Sequence, residues 1–189
     1  MTNPARSPEG RQRFEGVQRA VRLSARLSAI GFDDLDALRA AFAELIGKPV
    51  DPGFLLIPPF STDHGLNITL GRNVFINQGC HFMDMGGISI GDEVLIGPNV
   101  NLISAGHPLA PAERRKGIVT ARIVIGRNVW IGAAATVLPG VTIEKSWCGN
   151  TGCCCCTGWL MLGPVTITPD SAWLAVATPR AIRAGPATL

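Results

Sequence analysis

Apolar residues recur along this chain at a spacing that fits neither of the common elements. Leu70, Ile76, Phe82 and Ile88 stand six apart, as do Ile90, Ile96 and Leu102, and again Ile125, Ile131, Val137 and Ile143. A helix repeats near 3.6 residues and a strand at two, so a period of six describes very short strands stacked turn on turn. Four places on in the hexads a second small or branched residue recurs, at Val74, Cys80, Val94, Val100, Val129, Ala135 and Val141. Turn formers fill the gaps: Gly71, Arg72 and Asn73, then Gly91, Asp92 and Glu93, Gly97, Pro98 and Asn99, and Gly126, Arg127 and Asn128. Three hexads make one triangular turn of a parallel β-helix. A single turn cannot bury its own apolar edge, so successive turns must stack into one continuous core.

The period changes upstream. Val17, Val21, Leu23, Leu27 and Ile30, with arginines between them, predict a helix over Glu15 to Ile30. Leu38, Ala41, Phe42 and Leu45 predict a second over Leu35 to Ile46, stopped by Gly47. Pro49, Pro52, Pro58 and Pro59 keep the chain extended until the coil begins near Asn67. The expected organisation is a helical cap and linker over residues 1–60 and a β-helix domain over 61–189. Within that domain residues 108–122, rich in charge and proline, break the rhythm and read as a loop pushed out of the coil.

Composition narrows the function classes. The chain has 189 residues, 47% of them hydrophobic, enough for a core, and its 22 glycines suit a turn at every corner. A formal net charge of +3, scattered along the chain, gives no reason to expect nucleic acid. No apolar run is long enough to span a bilayer, and Met1 to Gly10 is polar with two prolines, so neither a secretory signal nor an anchor is expected. Glu9 and Glu15 argue against an organellar leader. A cytoplasmic protein is expected.

The chemistry concentrates where the loop leaves the coil. Ser104, Ala105, Gly106, His107, Pro108 and Leu109 put a histidine just past a hexad corner, where its imidazole can face solvent or a neighbouring subunit. A neutral imidazole accepts a proton from an attacking hydroxyl. A loop histidine that merely bonds a backbone carbonyl is the competing reading. Asn77 and Asp84 likewise fit turn capping as well as ligand binding.

A longer pattern bears on these alternatives. Asp63, His64, Gly65, Leu66, Asn67 and Ile68, then Asn77 and Asp84, then Gly106, His107, Pro108 and Leu109 with Glu113 and Arg114, then Asn128, Val129, Trp130, Ile131 and Gly132, continue through Pro139, Gly140, Val141, Thr142 and Ile143. This series resembles the hexapeptide-repeat sugar O-acetyltransferases, the family of maltose, galactoside and nodulation-type acetyltransferases, from about Leu35 to Ile143. The resemblance implies an all-β fold, a left-handed parallel β-helix that assembles as a homotrimer with active sites between subunits. It implies acetyl-CoA lying along the coil, a sugar or similar hydroxyl acceptor near the extruded loop, and no metal. His107 matches the general base. Asn77 and Asp84 match or adjoin acceptor-binding positions, with Met85 standing where the family's carboxylate falls. The Ala133 amide matches the position near the developing oxyanion, and Trp130 a wall of the coenzyme groove. A positioned base supplies roughly 10²- to 10⁴-fold, and no protein nucleophile is required, so direct transfer is the simpler route.

After Ile143 the resemblance lapses. Glu144 to Leu162, with Cys148 and the run Cys153 to Cys156, loses the six-residue rhythm, and residues 144–164 form an atypical segment. Family-like sequence returns from Pro169 to Arg183. A stretch read in a shifted frame would give this pattern, and resequencing the coding DNA checks it. Adjacent cysteines point apart and do not converge on one tetrahedral zinc, and disulfides are not expected in a cytoplasmic protein. Arg180 and Arg183 match basic positions near the coenzyme phosphates, and Thr166 loosely replaces a family coenzyme contact. Two other readings remain at this point. A γ-type carbonic anhydrase shares the coil but needs three converging histidines, and a trimeric scaffold with a disrupted coenzyme groove would have lost transfer activity.

Overall fold

The architecture is given by a computed structural model that describes residues 7–143. Helix α1 (Pro8–Ser28) starts where the Ser7 hydroxyl accepts from the Gly10 N–H and proline occupies the first turn. It therefore begins earlier than the apolar spacing alone implies. Helix α2 (Leu35–Ile46) is capped by the Asp34 side chain and ends at Gly47, whose φ of 66° is left-handed. Among the described residues no helix is long and apolar enough to cross a membrane.

Four stacked coils follow. The first holds β1 (Leu55–Leu56), β2 (Phe60–Thr62) and β3 (Ile68–Leu70), and the second β4 (Phe75–Ile76), β5 (Cys80–Met83) and β6 (Ile88–Ile90). The third holds β7 (Leu95–Ile96) and β8 (Asn101–Ile103). The short strands β9 (Ala105–Gly106) and β10 (Val119–Thr120) then pair antiparallel outside the coil, which β11 (Ile123–Ile125) rejoins. The fourth holds β12 (Trp130–Ile131), β13 (Thr136–Val137) and β14 (Thr142–Ile143). Corresponding strands form three parallel ladders, in the orders β1-β4-β7-β12, β2-β5-β8-β13 and β3-β6-β11-β14.

The chain joins the coil at Leu55, well before Asn67, because Leu55 and Leu56 pair with Phe75 and Ile76. Pro58 and Pro59 fall at the corner between β1 and β2, where no ladder N–H is required. The register also differs from a simple count of six. Leu70 lies beside Ile90, and Ile88 beside Ile68, so the step from Phe82 to Ile88 conceals two extra residues. Each face instead buries an alternate pair, such as Val94 with Ile96 or Val129 with Ile131. The extra residues emerge at one corner, between the second and third faces, as segments 63–67, 84–87 and 104–122 in successive coils.

Corner geometry explains the polar residues. Asn73, Gly79, Glu93, Asn99, Asn128, Ala134 and Gly140 share one hexad position and all have positive φ, between 53° and 82°. The core runs through the coils as columns, Ile76, Ile96 and Ile131 in one and Phe82, Leu102 and Val137 in another. The helices pack on the first coil, where Phe42 meets Phe54 and Phe60 at ring separations of 4.7 and 5.2 Å. Full burial of each such side chain contributes about 1.5–3 kcal/mol.

Candidate functional site

The coil corner that carries the insertions also fixes the arm. Ser104 is fully buried, and its hydroxyl donates to the Met83 carbonyl at 2.6 Å while accepting from the Gly86 N–H at 2.8 Å. The Ala121 N–H returns to the Ser104 carbonyl at 2.9 Å, and Ile123 N–H to Gly87 at 3.0 Å. The arm is thereby rooted at both ends on the 84–87 segment. Beyond the root, Gly106 pairs with Val119, which brings the next residue, His107, across from Ile118.

His107 is exposed, and its Nδ1 lies 3.1 Å from the Arg114 carbonyl. A carbonyl only accepts, so Nδ1 carries a hydrogen, and in the neutral ring Nε2 is the nitrogen with the lone pair. The Arg114 guanidinium closes the arm on itself by donating to the Leu109 carbonyl.

A cleft of about 400 Å³ opens beside the arm root. Helix α1 contributes Glu9, Gln12 and Arg13, the first-coil loop His64 and Asn67, the second-coil loop Met85, and the arm Ile118 and Thr120. Against the two helices the fit is close. A Cβ on Gly16 would meet His64 Cδ2 at 2.8 Å, and one on Gly65, at φ +87°, would meet the Leu45 carbonyl oxygen at 2.6 Å. Next in the chain to the cleft-lining His64 and Met85, Asp63 and Asp84 meet, the Asp84 N–H donating to Asp63 Oδ1, and burial, reinforced by the hydrogen bond and charge of Asp84, pushes the Asp63 carboxyl up to about 7.

The expected site residues separate into two groups. His107 and Met85 border the insertion corner. Asp84 is also there, but the expectation that it touches an acceptor meets a correction: it has no exposed surface, and its oxygens are taken by donors of its own chain. Asn77 and Ala133 lie on the opposite side of the second face, at the corner reached after β4 and β12, and Asn77 Oδ1 accepts from the Gln78 N–H. Trp130 points outward from the first face in line with Leu95, both nearly half exposed. One chain does not bring these groups to His107. Thr166, Arg180, Arg183 and the atypical segment 144–164 lie outside the described residues.

Gln12 and Arg13 gave no sequence signal as site residues, because only the folded chain lays α1 along the corner, and Asp63 stood in the resembling series without a role of its own. His64, His81 and His107 do not converge: His81 stands on β5 bonded to Ser61, away from the other two. Among the described residues no group of three or more His, Cys, Asp or Glu side chains is placed to hold a metal ion.

No family model matches the chain. Nodulation protein L of Rhizobium leguminosarum bv. viciae is 46% identical over 111 residues, 58% of this chain and 58% of its own length. The chain spans about half the length of the curated relatives it matches, 51% in the case of the Rhizobium meliloti nodulation protein L. A hexapeptide-repeat acetyltransferase of Vibrio cholerae O1 biovar eltor, solved with acetyl coenzyme A, superposes with a TM-score of 0.60 at 30% identity over 73% of each chain. A maltose O-acetyltransferase from Clostridium difficile 630 superposes with a TM-score of 0.68 at 30% identity, over 74% of this chain and 73% of that one. With that likeness carried by the same stacked hexads, the chain belongs to the hexapeptide-repeat sugar O-acetyltransferase family.

Proposed function

We propose that the protein transfers an acetyl group from acetyl-CoA directly to a hydroxyl of a sugar or related small molecule. The observation that carries this reading is the Nδ1 bond of His107 to the Arg114 carbonyl, which leaves Nε2 as a proton acceptor on an arm rooted beside a polar cleft. Nε2 takes the hydroxyl proton as the acceptor oxygen attacks the thioester carbonyl. The tetrahedral intermediate collapses by breaking the carbon–sulfur bond, and the imidazolium returns the proton to the departing thiolate. Products are the acetyl ester and free coenzyme A.

The cleft beside Ile118 is the acceptor site in this account. Its carboxylate, guanidinium, amide and imidazole groups suit a molecule bearing several hydroxyls. The Ala133 amide is the oxyanion donor and Trp130 a wall for the coenzyme, with Asn77 near the acceptor. Those groups stand across the second face from His107, so the account requires a left-handed coil, with its helical cap and extruded arm, assembled as a homotrimer whose adjacent subunits complete each site. Relatives named as acetyltransferases favour this enzyme over the scaffold reading. Acetyl-CoA turnover on a panel of sugars, beside His107→Ala, tests it. The substitution lowers kcat roughly 10²- to 10⁴-fold; equal rates for the two proteins contradict the reading.

A further inference from the structure

The transfer chemistry makes no use of the two carboxyl groups beside the cleft, yet they hold together two of the segments that line it. Asp84 Oδ1 accepts from Thr62 Oγ1 at 2.5 Å, from Gly65 N–H at 2.7 Å and from His64 N–H at 3.0 Å, and Oδ2 accepts from Asn67 N–H at 2.9 Å. The Asp84 N–H in turn donates to Asp63 Oδ1 at 2.7 Å. One buried side chain thus ties the 63–67 segment of the first coil to the 84–87 segment of the second. Those two segments supply His64, Asn67 and Met85 to the cleft.

Four converging donors suit an ionised carboxylate. A second ionised carboxylate beside it, on the half-buried Asp63, is repelled, whereas a neutral acid there offers an O–H to the first. We propose that Asp63 and Asp84 are positioning residues, a carboxyl pair holding one proton that fixes both corner segments for acceptor binding, so that loss of the proton weakens binding and spares the transfer step. The proposal rests on the reading of the cleft as the acceptor site. The elevated pKa of Asp63, near 7, agrees with a proton held there at neutral pH. Other charged or titratable groups surround the pair: His64 on the same segment, Glu9 and Arg13 on α1, Lys48 donating to the Leu66 and Ile68 carbonyls, and Arg122 beside Gly87.

Two measurements on the full chain test it. The first is hydrogen exchange at the His64, Gly65 and Asn67 amides between pH 4.5 and 8.5, corrected for the intrinsic rate. Protection is expected to fall by up to about tenfold per pH unit below 7 and to level off above it in the wild type, to fall in the same way in His64→Gln, and to stay level in Asp63→Asn, which keeps a neutral side chain. The second is the pH dependence of the acceptor KM between pH 6 and 8.5, expected to rise above pH 7 in the wild type and stay flat in Asp63→Asn, with kcat following one profile in both. Level protection in the wild type overturns the proposal without any variant having to fold, as does a decline that persists in Asp63→Asn or vanishes in His64→Gln. A protection step with no KM step upholds the proton pair and overturns the cleft as the acceptor site.

Discussion

Single positions carry both the chemistry and the pH response. For Asp63 the folded value near 7 lies above the ordinary 3.8, so between them the unfolded chain has released a proton that the folded chain retains. The stability held by the neutral acid is complete below pH 3.8 and lost as pH rises to about 7. Urea midpoints measured from pH 4 to 8 are therefore expected to show a downward slope that Asp63→Asn reduces; an unchanged slope in that variant contradicts the assignment. Sequence exposed part of this. The resemblance carried by the Gly-His-Pro corner singled out His107; the residue by itself also fitted a loop histidine bonded to a backbone carbonyl, a bond that it makes to Arg114. Asp84 was legible as a corner residue, and its burial was not, since its donors come from a coil some twenty residues upstream.

Elements of two to four residues are held by what their corners permit. Gly71 and Gly97 leave no space for a side chain: a Cβ would meet Asp92 N at 2.5 Å or Ala133 N at 2.8 Å, both backbone atoms of the following coil. Gly97→Ala is expected to destabilise by about 1–3 kcal/mol, as overpacking does. Gly117→Ala, with open space around it, is the control, and equal unfolding midpoints for the two variants contradict the packing argument. Arg72 and Asp92 link the same neighbouring coils through a 2.8 Å ion pair, which holds the Asp92 carboxyl below its ordinary range. The six-residue period disclosed these corners. It misplaced Ile88, because a two-residue insertion after a hexad leaves another apolar residue at the expected place, and only the ladder from Ile68 to Ile88 to Ile123 separates the two registers.

For the whole molecule, the stacked insertions make one edge of the prism unlike the others. That edge holds the arm, the cleft and the acid pair, while Asn77, Trp130 and Ala133 stand elsewhere on the prism. The prism was legible because its period is written in the sequence; the course of α1 along the cleft was not, since it depends on how Leu27, Phe42 and Phe60 pack together at the first coil. The central claim is that His107 meets an acceptor hydroxyl beside a thioester completed by an adjacent subunit. A structure of the full chain with coenzyme A and a bound sugar acceptor measures this directly. The account predicts His107 Nε2 within about 2.6–3.2 Å of the reacting hydroxyl, and the Ala133 amide of a neighbouring copy facing the thioester position. An imidazole remote from both ligands contradicts it.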